Sequence, residues 1–387
     1  MSTHRALIGD NLDVLPSLSG QSFDLIYLDP PYNTGGKVVS EYADRFDDWS
    51  GFMAPRLAEM VPLLSELGVI IASIDDTEVH HLRVLLDDLM GPQNHVGTVV
   101  WDGTPLNSSH LLSVSHDYLV IYARDLAALK ASGVRWREPR PEAAEALAAA
   151  AAAWEISGHD VELAQREYRR WLSPHRKRLG RGITEYVRLD ENGRLYRVGD
   201  AGAPSKQASR SFREIVHPTT HLPCPVPKFG WRFSDSTMDL MLSEGRIEFG
   251  PDHTTIPKPK RFLEDHVERT PKSVFHHDRS GTKHLEGILG DRRFPFPKDL
   301  AVMMHWIDMV APADAAILDP FLGSGTTIEA VAALNAEDGG SRSCTGVTID
   351  EGDLVDTVLV PRMKHVERAL GDRVDVLRAP RDGDTAH

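Results

Sequence analysis

The pattern of apolar and polar positions alternates between short apolar runs and longer amphipathic stretches. Ala6–Ile8 and Phe23–Leu28 are apolar runs typical of buried strands, and Asn11–Leu18 between them has helical spacing. The alternation continues with amphipathic Phe52–Leu67, apolar Gly68–Ile74, helical Glu78–Leu89, and predicted strands at Val96–Trp101 and Tyr118–Tyr122. Strands that alternate with helices predict an α/β fold with a mostly parallel, doubly wound sheet.

The alternation fades in the middle of the chain and returns later. Glu142–Trp154 is an alanine-rich stretch that predicts a plain helix, and Pro204–Pro227 is rich in Pro, Ser and Thr, which predicts a loop. A second strand-and-helix unit follows, with helix Val302–Val310, strand Ala316–Leu318, helix Thr327–Leu334 and strand Cys344–Ile349. The predicted organisation is a core in two halves, residues 1–125 and 226–387, interrupted by an inserted region at 126–225.

The charge is unevenly distributed along the chain. The formal net charge of −14 argues by itself against a nucleic-acid partner, because phosphate binding requires Lys and Arg. From Gln165 to Arg232, however, 15 Lys and Arg face 6 Asp and Glu, whereas the remainder has 28 against 51. This contrast predicts a polyanion-contacting module in an acidic protein. Its candidate DNA contacts are Arg176, Lys177, Arg178, Lys206 and Arg210.

Several classes of protein are disfavoured by composition. Cys224 and Cys344 are far apart, which predicts neither a disulfide framework nor a cysteine zinc site and favours a reducing compartment. No apolar run of about 18 residues occurs, and the first residues lack a signal-peptide layout, so no membrane association and a cytoplasmic location are predicted. The pairs His80–His81 and His276–His277 lack further ligands at a suitable spacing, so no metal is predicted.

The first motif with chemical content is Asp29-Pro30-Pro31-Tyr32, directly after a predicted strand. A carboxylate and a carbonyl held between prolines place two hydrogen-bond acceptors at fixed spacing, because proline fixes φ and lacks an N–H. Two acceptors can draw on both N–H groups of a planar amino group, so that its nitrogen attacks an electrophile. Tyr32 offers a face on which an extruded base would regain about 1 to 3 kcal/mol of stacking. A turn that merely ends a strand would use similar residues.

The second motif, DPFLGSGTT at 319–327, again lies between a predicted strand and a predicted helix. Its glycines let the backbone pass close to a ligand, and the helix N-terminus offers free N–H groups. The ending Thr326-Thr327 lacks the Lys of a phosphate-binding P-loop. About 25 residues later the next strand ends in Asp350-Glu351, a place suited to ribose hydroxyls. A helix N-cap is the simpler interpretation of this loop.

Taken together, the motifs resemble a known family, the β-class adenine-N6 DNA methyltransferases, particularly the modification subunits of type III restriction systems. The matching segments are Asp24–Gly35 (DLIYLDPPYNTG), Trp49–Met53, Ile71–Asp76, His116–Tyr118, Gly230–Arg232, Phe296–Lys298 and Leu334–Gly340. The order of motifs also fits, with the catalytic motif first, the cofactor loop last and target recognition between them. The likeness covers roughly residues 5–125 and 226–368.

The resemblance implies a Rossmann-like S-adenosylmethionine-dependent fold with permuted motif order and an inserted target-recognition region. It implies methyl transfer from S-adenosylmethionine to N6 of a flipped adenine in duplex DNA, with Asp29, Pro30, Pro31 and Tyr32 as catalytic residues. The implied cofactor-binding residues are Asp319, Pro320, Phe321, Gly323, Ser324, Gly325, Thr326, Asp350 and Lys298, the last reaching the methionine carboxylate. A homodimer and a restriction or defence subunit are the implied partners, although the short recognition region leaves the second of these open.

Four other functions compete with this interpretation. Cytosine-N4 methylation uses the same fold but favours Ser at the position of Asp29. Methylation of protein glutamine uses a related motif that begins with Asn and follows the cofactor loop. A non-catalytic DNA-binding subunit would be expected to have a disrupted catalytic motif, but Asp29-Pro30-Pro31-Tyr32 is intact. A nicotinamide-dependent oxidoreductase would explain the glycine loop but leaves Asp29–Tyr32 without a role.

Overall fold

The structure is a computed structural model that describes residues 2–35, 45–103, 111–112, 114–205 and 210–378. Its strands are β1 (Thr3–Ile8), β2 (Phe23–Leu28), β3 (Leu64–Ile74), β4 (His95–Asp102), β5 (His116–Ala123), β6 (Glu138–Pro139), β7 (Arg188–Leu189), β8 (Leu195–Val198), β9 (Ile247–Glu248), β10 (Lys258–Phe262), β11 (Glu268–Arg269), β12 (Val274–His276), β13 (Ala316–Asp319), β14 (Ser343–Thr348) and β15 (Arg373–Arg378).

Its helices are α1 (Asn11–Val14), α2 (Trp49–Met60), α3 (Val79–Met90), α4 (Leu126–Ala131), α5 (Pro141–Ile156), α6 (Val161–Leu179), α7 (Arg181–Thr184), α8 (Asp235–Ser243), α9 (Gly281–Leu289), α10 (Leu300–Val310), α11 (Thr326–Asp338) and α12 (Val360–Leu370). Short 3₁₀ turns cover Leu15–Leu18, Val61–Leu63, Pro92–Asn94 and Leu263–His266, and a π-helical turn covers Val355–Leu359. None of the described helices combines the length and the apolar character needed to cross a membrane.

The chain forms two compact units, and the first comprises Met1–Trp136 and Thr270–His387. Within the described residues, nine of its strands form one sheet in the order β12-β4-β5-β3-β2-β13-β14-β1-β15. All neighbouring pairs are parallel except those of β5, which runs antiparallel to both β3 and β4. The predicted mostly parallel α/β fold is confirmed.

Helices cover both faces of this sheet, which explains why β2 is buried and, apart from Asp24, mainly apolar. Leu25 and Tyr27 belong to a core cluster with residues of α10, α11 and α12, whereas Ile26 and Leu28 belong to a second cluster with residues of α2 and α3. Successive side chains of a strand point to opposite faces, so a strand covered on both sides buries every residue. The apolar run Leu25–Leu28, with no alternation of polar residues, therefore indicates a central strand.

The position of β2 in the sheet is decisive for the site. It pairs in parallel with β13, with Leu25 opposite Ile317 and Ile26 opposite Leu318. Residues that lie almost three hundred positions apart in the sequence therefore become neighbours. Because both strands run in the same direction, the segments that follow them meet at the same edge, which is where open α/β sheets bind ligands.

Some predicted boundaries were wrong. The amphipathic stretch Phe52–Leu67 was predicted as one element, but α2 ends at Met60 and β3 already begins at Leu64. Pro62 lies in the intervening 3₁₀ turn, and a proline without an N–H does not continue a helix readily. The edge strands β12 and β15 were not predicted, because short, partly exposed strands carry little hydrophobic pattern.

The second unit comprises Arg137–Arg269. Its α5 is the predicted alanine-rich helix, and it packs on α6 through the buried residues Ala143, Ala146, Ala150, Tyr168 and Leu172. The alanines recur at three- and four-residue spacing, so they lie on one face and let the two helices approach closely. The predicted loop at 204–227 contains no regular helix or strand among its described residues.

This unit does not end where the sequence analysis placed the end of the insertion. The predicted region was 126–225, whereas the compact unit starts at Arg137 and continues to Arg269. Antiparallel pairing explains the difference: β10 pairs with β8 and β9, and β11 pairs with β6. The chain from 226 to 269 is therefore bonded to the insertion and not to the large sheet.

Candidate active site

The motif Asp29-Pro30-Pro31-Tyr32 begins one residue after β2 ends, at the carboxyl edge of the sheet. The Pro31 carbonyl accepts a hydrogen bond of 2.7 Å from Nε1 of buried Trp49, which fixes the proline segment. Among the described residues no donor reaches the Pro30 carbonyl oxygen. The Asp29 side chain is 26% exposed. The motif thus presents a carboxylate and a carbonyl as acceptors from a rigid segment.

The residue after the motif keeps this segment in place. Asn33 adopts a positive φ of 59°, a conformation that Asn tolerates better than most residues. Its side-chain amide donates to Glu78 Oε1 at 2.7 Å, and its Oδ1 accepts from the Phe46 backbone N at 2.8 Å. Glu78 is itself buried. The sequence analysis did not identify this anchor, although Asn after a turn motif is a usual left-handed residue.

Lys298 lies beside the catalytic motif. Its Nζ is 2.9 Å from Asp29 Oδ1, donates a hydrogen bond to the Tyr32 hydroxyl and lies 4.4 Å from the centroid of the Tyr32 ring. The Tyr32 hydroxyl also lies 2.7 Å from Ser73 Oγ at the end of β3. The sequence analysis predicted Lys298 as a cofactor ligand. The structure places it on the Asp29 carboxylate, and its contact with a cofactor stays a prediction.

Burial and neighbouring charges shift the ionisation of these groups. Burial raises the pKa of the Asp29 carboxyl above its usual range; Lys298 opposes this increase, and the Asp117 carboxylate adds to it. Burial also raises the pKa of the Tyr32 hydroxyl well above 10, with a further contribution from Asp29 and Asp117. Tyr32 is therefore a neutral phenol near pH 7, while Asp29 can exchange a proton more readily than an ordinary aspartate.

The second motif starts at Asp319, the last residue of β13. Its carboxylate is buried, accepts a hydrogen bond of 2.9 Å from the Phe321 backbone N and accepts another from the Thr327 hydroxyl. Burial raises the pKa of Asp319 to about 7 in spite of these bonds, and the nearby Asp29 carboxylate adds to the increase. Asp319 thus points into its own loop, and the two motif carboxylates are close enough to influence each other.

Two further contacts fix the loop against its surroundings. Asn11 Nδ2, on buried α1, donates to the Pro320 carbonyl at 3.2 Å, and the Leu322 backbone N donates to the Val347 carbonyl at 2.9 Å. A Cβ on Gly346 would lie 2.6 Å from Leu322 Cδ2, so β14 passes directly under the loop. Asn11 was not predicted as part of the site, since it lies in a helix that the pattern alone makes unexceptional.

The two glycines of the loop have different reasons to be glycine. Gly323 has a φ of +51°, and of the described atoms only the Phe321 carbonyl oxygen, at 3.8 Å, would lie within 4 Å of a Cβ there. Gly325 has a φ of +87°, and a Cβ there would lie 2.6 Å from Met363 Cε and 2.8 Å from Leu359 Cδ1. Gly323 leaves open space for a ligand, whereas Gly325 is required by helix packing and by its left-handed backbone.

Comparison with known proteins agrees with this arrangement. The DNA methylase family matches residues 23–352, which is most of the chain. The chain belongs to the DNA methylase family. A type III restriction-modification Mod subunit from Escherichia coli, EcoP15I, is 29% identical over 90% of this chain and 59% of its own length. The type II methyltransferase M.KpnI from Klebsiella pneumoniae is 28% identical over 87% of this chain and 78% of its own length.

The chain is shorter than some of these relatives. It spans 59% of the EcoP15I Mod subunit and 52% of the StyLTI Mod subunit from Salmonella typhimurium. Among solved structures, a DNA modification methylase from Thermus thermophilus, complexed with S-adenosyl-L-methionine, is 14% identical over 98% of this chain and 99% of its own. Its TM-score is 0.44, which by itself does not establish a common fold.

The two acidic residues after β14, which the sequence analysis placed near a cofactor ribose, differ in their contacts. Asp350 Oδ1 accepts from the Val355 backbone N at 3.1 Å, and Oδ2 pairs with Arg378 Nη2 at 3.1 Å. The Glu351 side chain has no hydrogen-bond or ionic partner among the described residues. The sequence analysis named Asp350 as the candidate and left the choice between it and Glu351 open. The structure engages Asp350 within the chain and leaves the Glu351 carboxylate available.

The predicted DNA contacts do not form one cluster. Arg176, Lys177 and Arg178 are exposed on the last turns of α6, but Arg178 pairs with Glu145 on α5, with Nη1 2.7 Å from Oε2. Arg210 lies in the loop before α8, and its Nη1 donates to the Arg232 carbonyl at 3.1 Å. Lys206 lies outside the described residues. Of the predicted set, Arg176, Lys177 and Arg210 have no carboxylate partner among the described residues.

One further ion pair near the motif was not predicted. Arg279 Nη1 is 2.9 Å from Oδ2 of buried Asp117, and its guanidinium lies 4.9 Å from the centroid of the Trp101 ring. Asp117 belongs to the His116–Tyr118 segment noted in the sequence, but Arg279 lies 162 positions later. The pair balances a carboxylate whose charge would otherwise act fully on Asp29.

Proposed function

We propose that this chain transfers a methyl group from S-adenosylmethionine to the exocyclic N6 of an adenine flipped out of duplex DNA. The observation that carries the proposal is the meeting of two motifs at one sheet edge. The Asp29 carboxylate and the Pro30 carbonyl, which no donor of the described residues reaches, follow β2, and the glycine loop follows the adjacent strand β13. Membership of the DNA methylase family and the Mod-subunit relatives support DNA as the substrate.

The residues present fit S-adenosylmethionine. Gly323 leaves open space at the loop, and α11 begins at Thr326 after Gly325, a cap residue that makes no side-chain hydrogen bond to the helix start. Such a helix start suits the carboxylate of the methionine moiety. We assign the ribose hydroxyls to Glu351 in preference to Asp350, because Asp350 already bonds Val355 and Arg378. When bound, this cofactor supplies a methyl group on a positively charged sulfur.

Asp29 and Pro30 would accept the two N–H groups of the target amino group. This bonding localises the nitrogen lone pair, which is otherwise shared with the ring, and so prepares the nitrogen for attack. For this bonding the ion pair between the Lys298 ammonium and Asp29 Oδ1 must first break. After attack the nitrogen loses a proton, and the raised pKa of Asp29 suits that carboxylate to hold it. The Tyr32 ring would stack on the flipped base and so offset part of the free-energy cost of removing that base from the duplex stack.

The direct test is modification-sensitive sequencing of DNA from a methylation-free host that expresses the chain. We expect N6-methyladenine at one recognition sequence, and none in a host that expresses the Asp29→Ala variant. N4-methylcytosine in its place would assign the chain to the alternative chemistry. Unmodified DNA, together with no binding of S-adenosylmethionine by the purified chain, would refute the proposed function.

For the second unit we propose a DNA-contacting role and assign the phosphate contacts to the outer face of α6. Arg166 and Lys177 lie on the face opposite buried Tyr168 and Leu172, and Arg176 flanks it. None of these three cations has a carboxylate partner among the described residues. Arg178 points to Glu145 instead. A cation already paired within the protein contributes less to phosphate binding, because its charge is largely balanced.

A salt series on duplex affinity tests this assignment. Neutralising Arg176 and Lys177 together should flatten the slope of log affinity against log salt by about two units, since each phosphate contact contributes about one. The Arg178→Gln variant is the matched control on the same helix turn and should change the slope less. Equal effects of both variants would show that ion pairing does not decide which cations bind DNA.

For the whole assembly we propose duplex DNA as the substrate and a second copy of the chain as a partner. A restriction or defence subunit is a further proposed partner, suggested by the names of the Mod-subunit relatives. We also infer a cytoplasmic location, where DNA and the cofactor are both available. Sedimentation analysis of the purified chain tests the dimer, and a single protomer at micromolar concentration would contradict it.

A further inference from the structure

The side chain of Arg362 connects α12 to the glycine loop. It is 1% exposed, which is rare for an arginine unless its charge is paired. Its Nη1 donates to Thr326 Oγ1 at 2.8 Å and to Ser324 Oγ at 3.0 Å, and its Nε donates to Glu329 Oε2 at 2.5 Å. One planar guanidinium thus bonds both the loop and the helix that the loop opens.

Glu329, in the first turn of α11, balances this buried charge. It is 2% exposed, and its second oxygen, Oε1, lies 2.6 Å from Nε2 of His284 on α9. Burial alone would raise the pKa of Glu329, but the bonds from His284 and Arg362 outweigh burial and hold that pKa at about 2. Glu329 is therefore ionised at any physiological pH, and the Arg362 charge is compensated where it lies.

At Gly325 the loop is packed closely against α12. A Cβ on Gly325 would lie 2.6 Å from Met363 Cε, and Met363 is the residue after Arg362. The hydroxyls of Ser324 and Thr326, which the sequence analysis assigned to the cofactor, are turned towards Arg362. A ligand at this loop would therefore contact the backbone N–H groups and not these two hydroxyls. Because Arg362 holds the hydroxyls of Ser324 and Thr326, it also fixes the directions of the backbone N–H groups of the same residues.

We propose that Arg362, balanced by Glu329, is a positioning residue that holds the loop 323–326 in the shape that binds S-adenosylmethionine. Burying a guanidinium is costly, and a hydrophobic residue would fill the same volume with less desolvation. What the arginine adds is a forked donor of fixed geometry that reaches two loop hydroxyls and one carboxylate together. This inference rests on the proposed function, because it concerns the cofactor of that reaction.

The Arg362→Lys variant tests the proposal. Lysine keeps the positive charge beside Glu329, but one ammonium on a flexible stem does not reproduce the fork that also holds Ser324 and Thr326. We expect the thermal midpoint to stay close to wild type, while the dissociation constant for S-adenosylmethionine rises about tenfold or more in calorimetric titration. The turnover number at saturating cofactor should stay near wild type, so that KM changes and kcat does not.

Arg342→Lys is the matched control. Arg342 is 2% exposed and pairs with Asp338 at 2.8 Å and Asp308 at 3.5 Å, at the opposite end of α11 from the loop. The control should lower the thermal midpoint at least as much and leave cofactor affinity unchanged. If both lysine variants weaken cofactor binding equally, general destabilisation explains the effect and the proposal is overturned. Wild-type affinity in Arg362→Lys overturns it as well.

The Thr326→Val variant tests the same contact without changing Arg362, so it covers the case in which Arg362→Lys folds poorly. By itself it should raise the dissociation constant for S-adenosylmethionine, and wild-type affinity would overturn the proposal; a double-mutant cycle then relates the two residues. Thr326→Val removes the hydroxyl that receives Arg362 and leaves the pair with Glu329 intact. If Arg362 acts through Thr326, the double variant should bind the cofactor no more weakly than Arg362→Lys alone. Additive losses would mean that the two residues act separately, and the proposal would fail. Failure of the wild-type chain to bind S-adenosylmethionine would instead refute the proposed function, and the inference with it.

Discussion

Asp29 and Asp319 follow adjacent parallel strands, and each is succeeded by proline, yet their surroundings differ. Asp319 is 2% exposed, and both of its carboxylate oxygens accept hydrogen bonds from its own loop. Asp29 keeps 26% of its side chain exposed and meets one long side chain, that of Lys298. An enclosed carboxylate bonded to its own loop shapes the backbone. A half-open carboxylate with a flexible partner can exchange that partner for a substrate.

The largest expected effect distinguishes the two carboxylates by chemistry. Asp29→Ala should lower the methyl-transfer rate by about 10³-fold, because an acceptor and proton carrier at the reacting nitrogen is lost. Its affinity for S-adenosylmethionine should stay near wild type, since Asp29 belongs to the target side of the site. Single-turnover kinetics and calorimetric titration measure the two quantities. A variant that keeps most of its rate would show that Asp29 is structural, as we argue for Asp319.

The second prediction concerns stability and applies to Asp319. Its pKa is about 7 in the folded chain against an ordinary value of 3.8, so the folded state holds a proton that the unfolded state releases between these values. The free energy of unfolding should therefore fall as pH rises from about 4 to about 7, by up to about 4 kcal/mol from this group.

The Asn variant isolates that contribution. Asp319→Asn mimics the protonated acid and should lose this pH dependence, so the difference in unfolding free energy between wild type and variant should change steadily across the same interval. Urea unfolding at a series of pH values gives this difference. A constant difference from about pH 4 to about pH 7 would mean that Asp319 is ionised in the fold throughout.

The third prediction concerns Lys298. Removing its charge with Lys298→Met should raise the pKa of Asp29 further, because Lys298 is the main group that opposes the effects of burial and Asp117. The acidic limb of the pH profile of kcat should move to higher pH, since transfer requires the ionised carboxylate. Lys298→Arg keeps a cation and is the control, with a limb near wild type. If the acidic limb of the kcat profile of Lys298→Met lies at the same pH as in wild type, Lys298 does not influence the ionisation of Asp29.

The smallest expected effect is that of the Tyr32 hydroxyl. Tyr32→Phe loses the contacts with Ser73 and Lys298 but keeps the ring, so the rate should fall less than about tenfold. Tyr32→Ala also loses the stacking face and should be slower by a further factor that corresponds to about 1 to 3 kcal/mol. Fluorescence of 2-aminopurine at the target position reports base flipping in both variants. If the two variants lose the same amount of methyl-transfer rate, the contribution of Tyr32 comes from its hydroxyl and not from stacking of its ring.

Local features of this site were predictable because they are encoded in neighbouring residues. The strand before Asp29 and the strand before Asp319 follow from apolar runs that end in turn-forming residues. The contacts behind them were not predictable. Arg362 lies 36 positions after Thr326, and Lys298 lies 266 positions after Tyr32, so no periodic pattern connects either pair.

The second unit shows the same limit. Its basic composition was evident from the sequence, but the partners of its cations were not. Arg178 and Lys177 look equivalent in the sequence. The packing of α5 on α6 brings Glu145 to Arg178, whereas Lys177 has no carboxylate partner among the described residues. In the same way, the end of the unit at Arg269 depends on β10 and β11 pairing with strands far back in the chain.

The sequence by itself determined the class of fold and the position of both motifs at strand ends, because burial on two faces and proline or glycine turns act over a few residues. Only the tertiary structure decided that β2 lies beside β13, that Lys298 meets Asp29 and that Arg362 bonds the glycine loop. Strand order and buried ion pairs depend on distances in space between residues remote in the chain, and a pattern of local hydrophobicity carries no information about those distances.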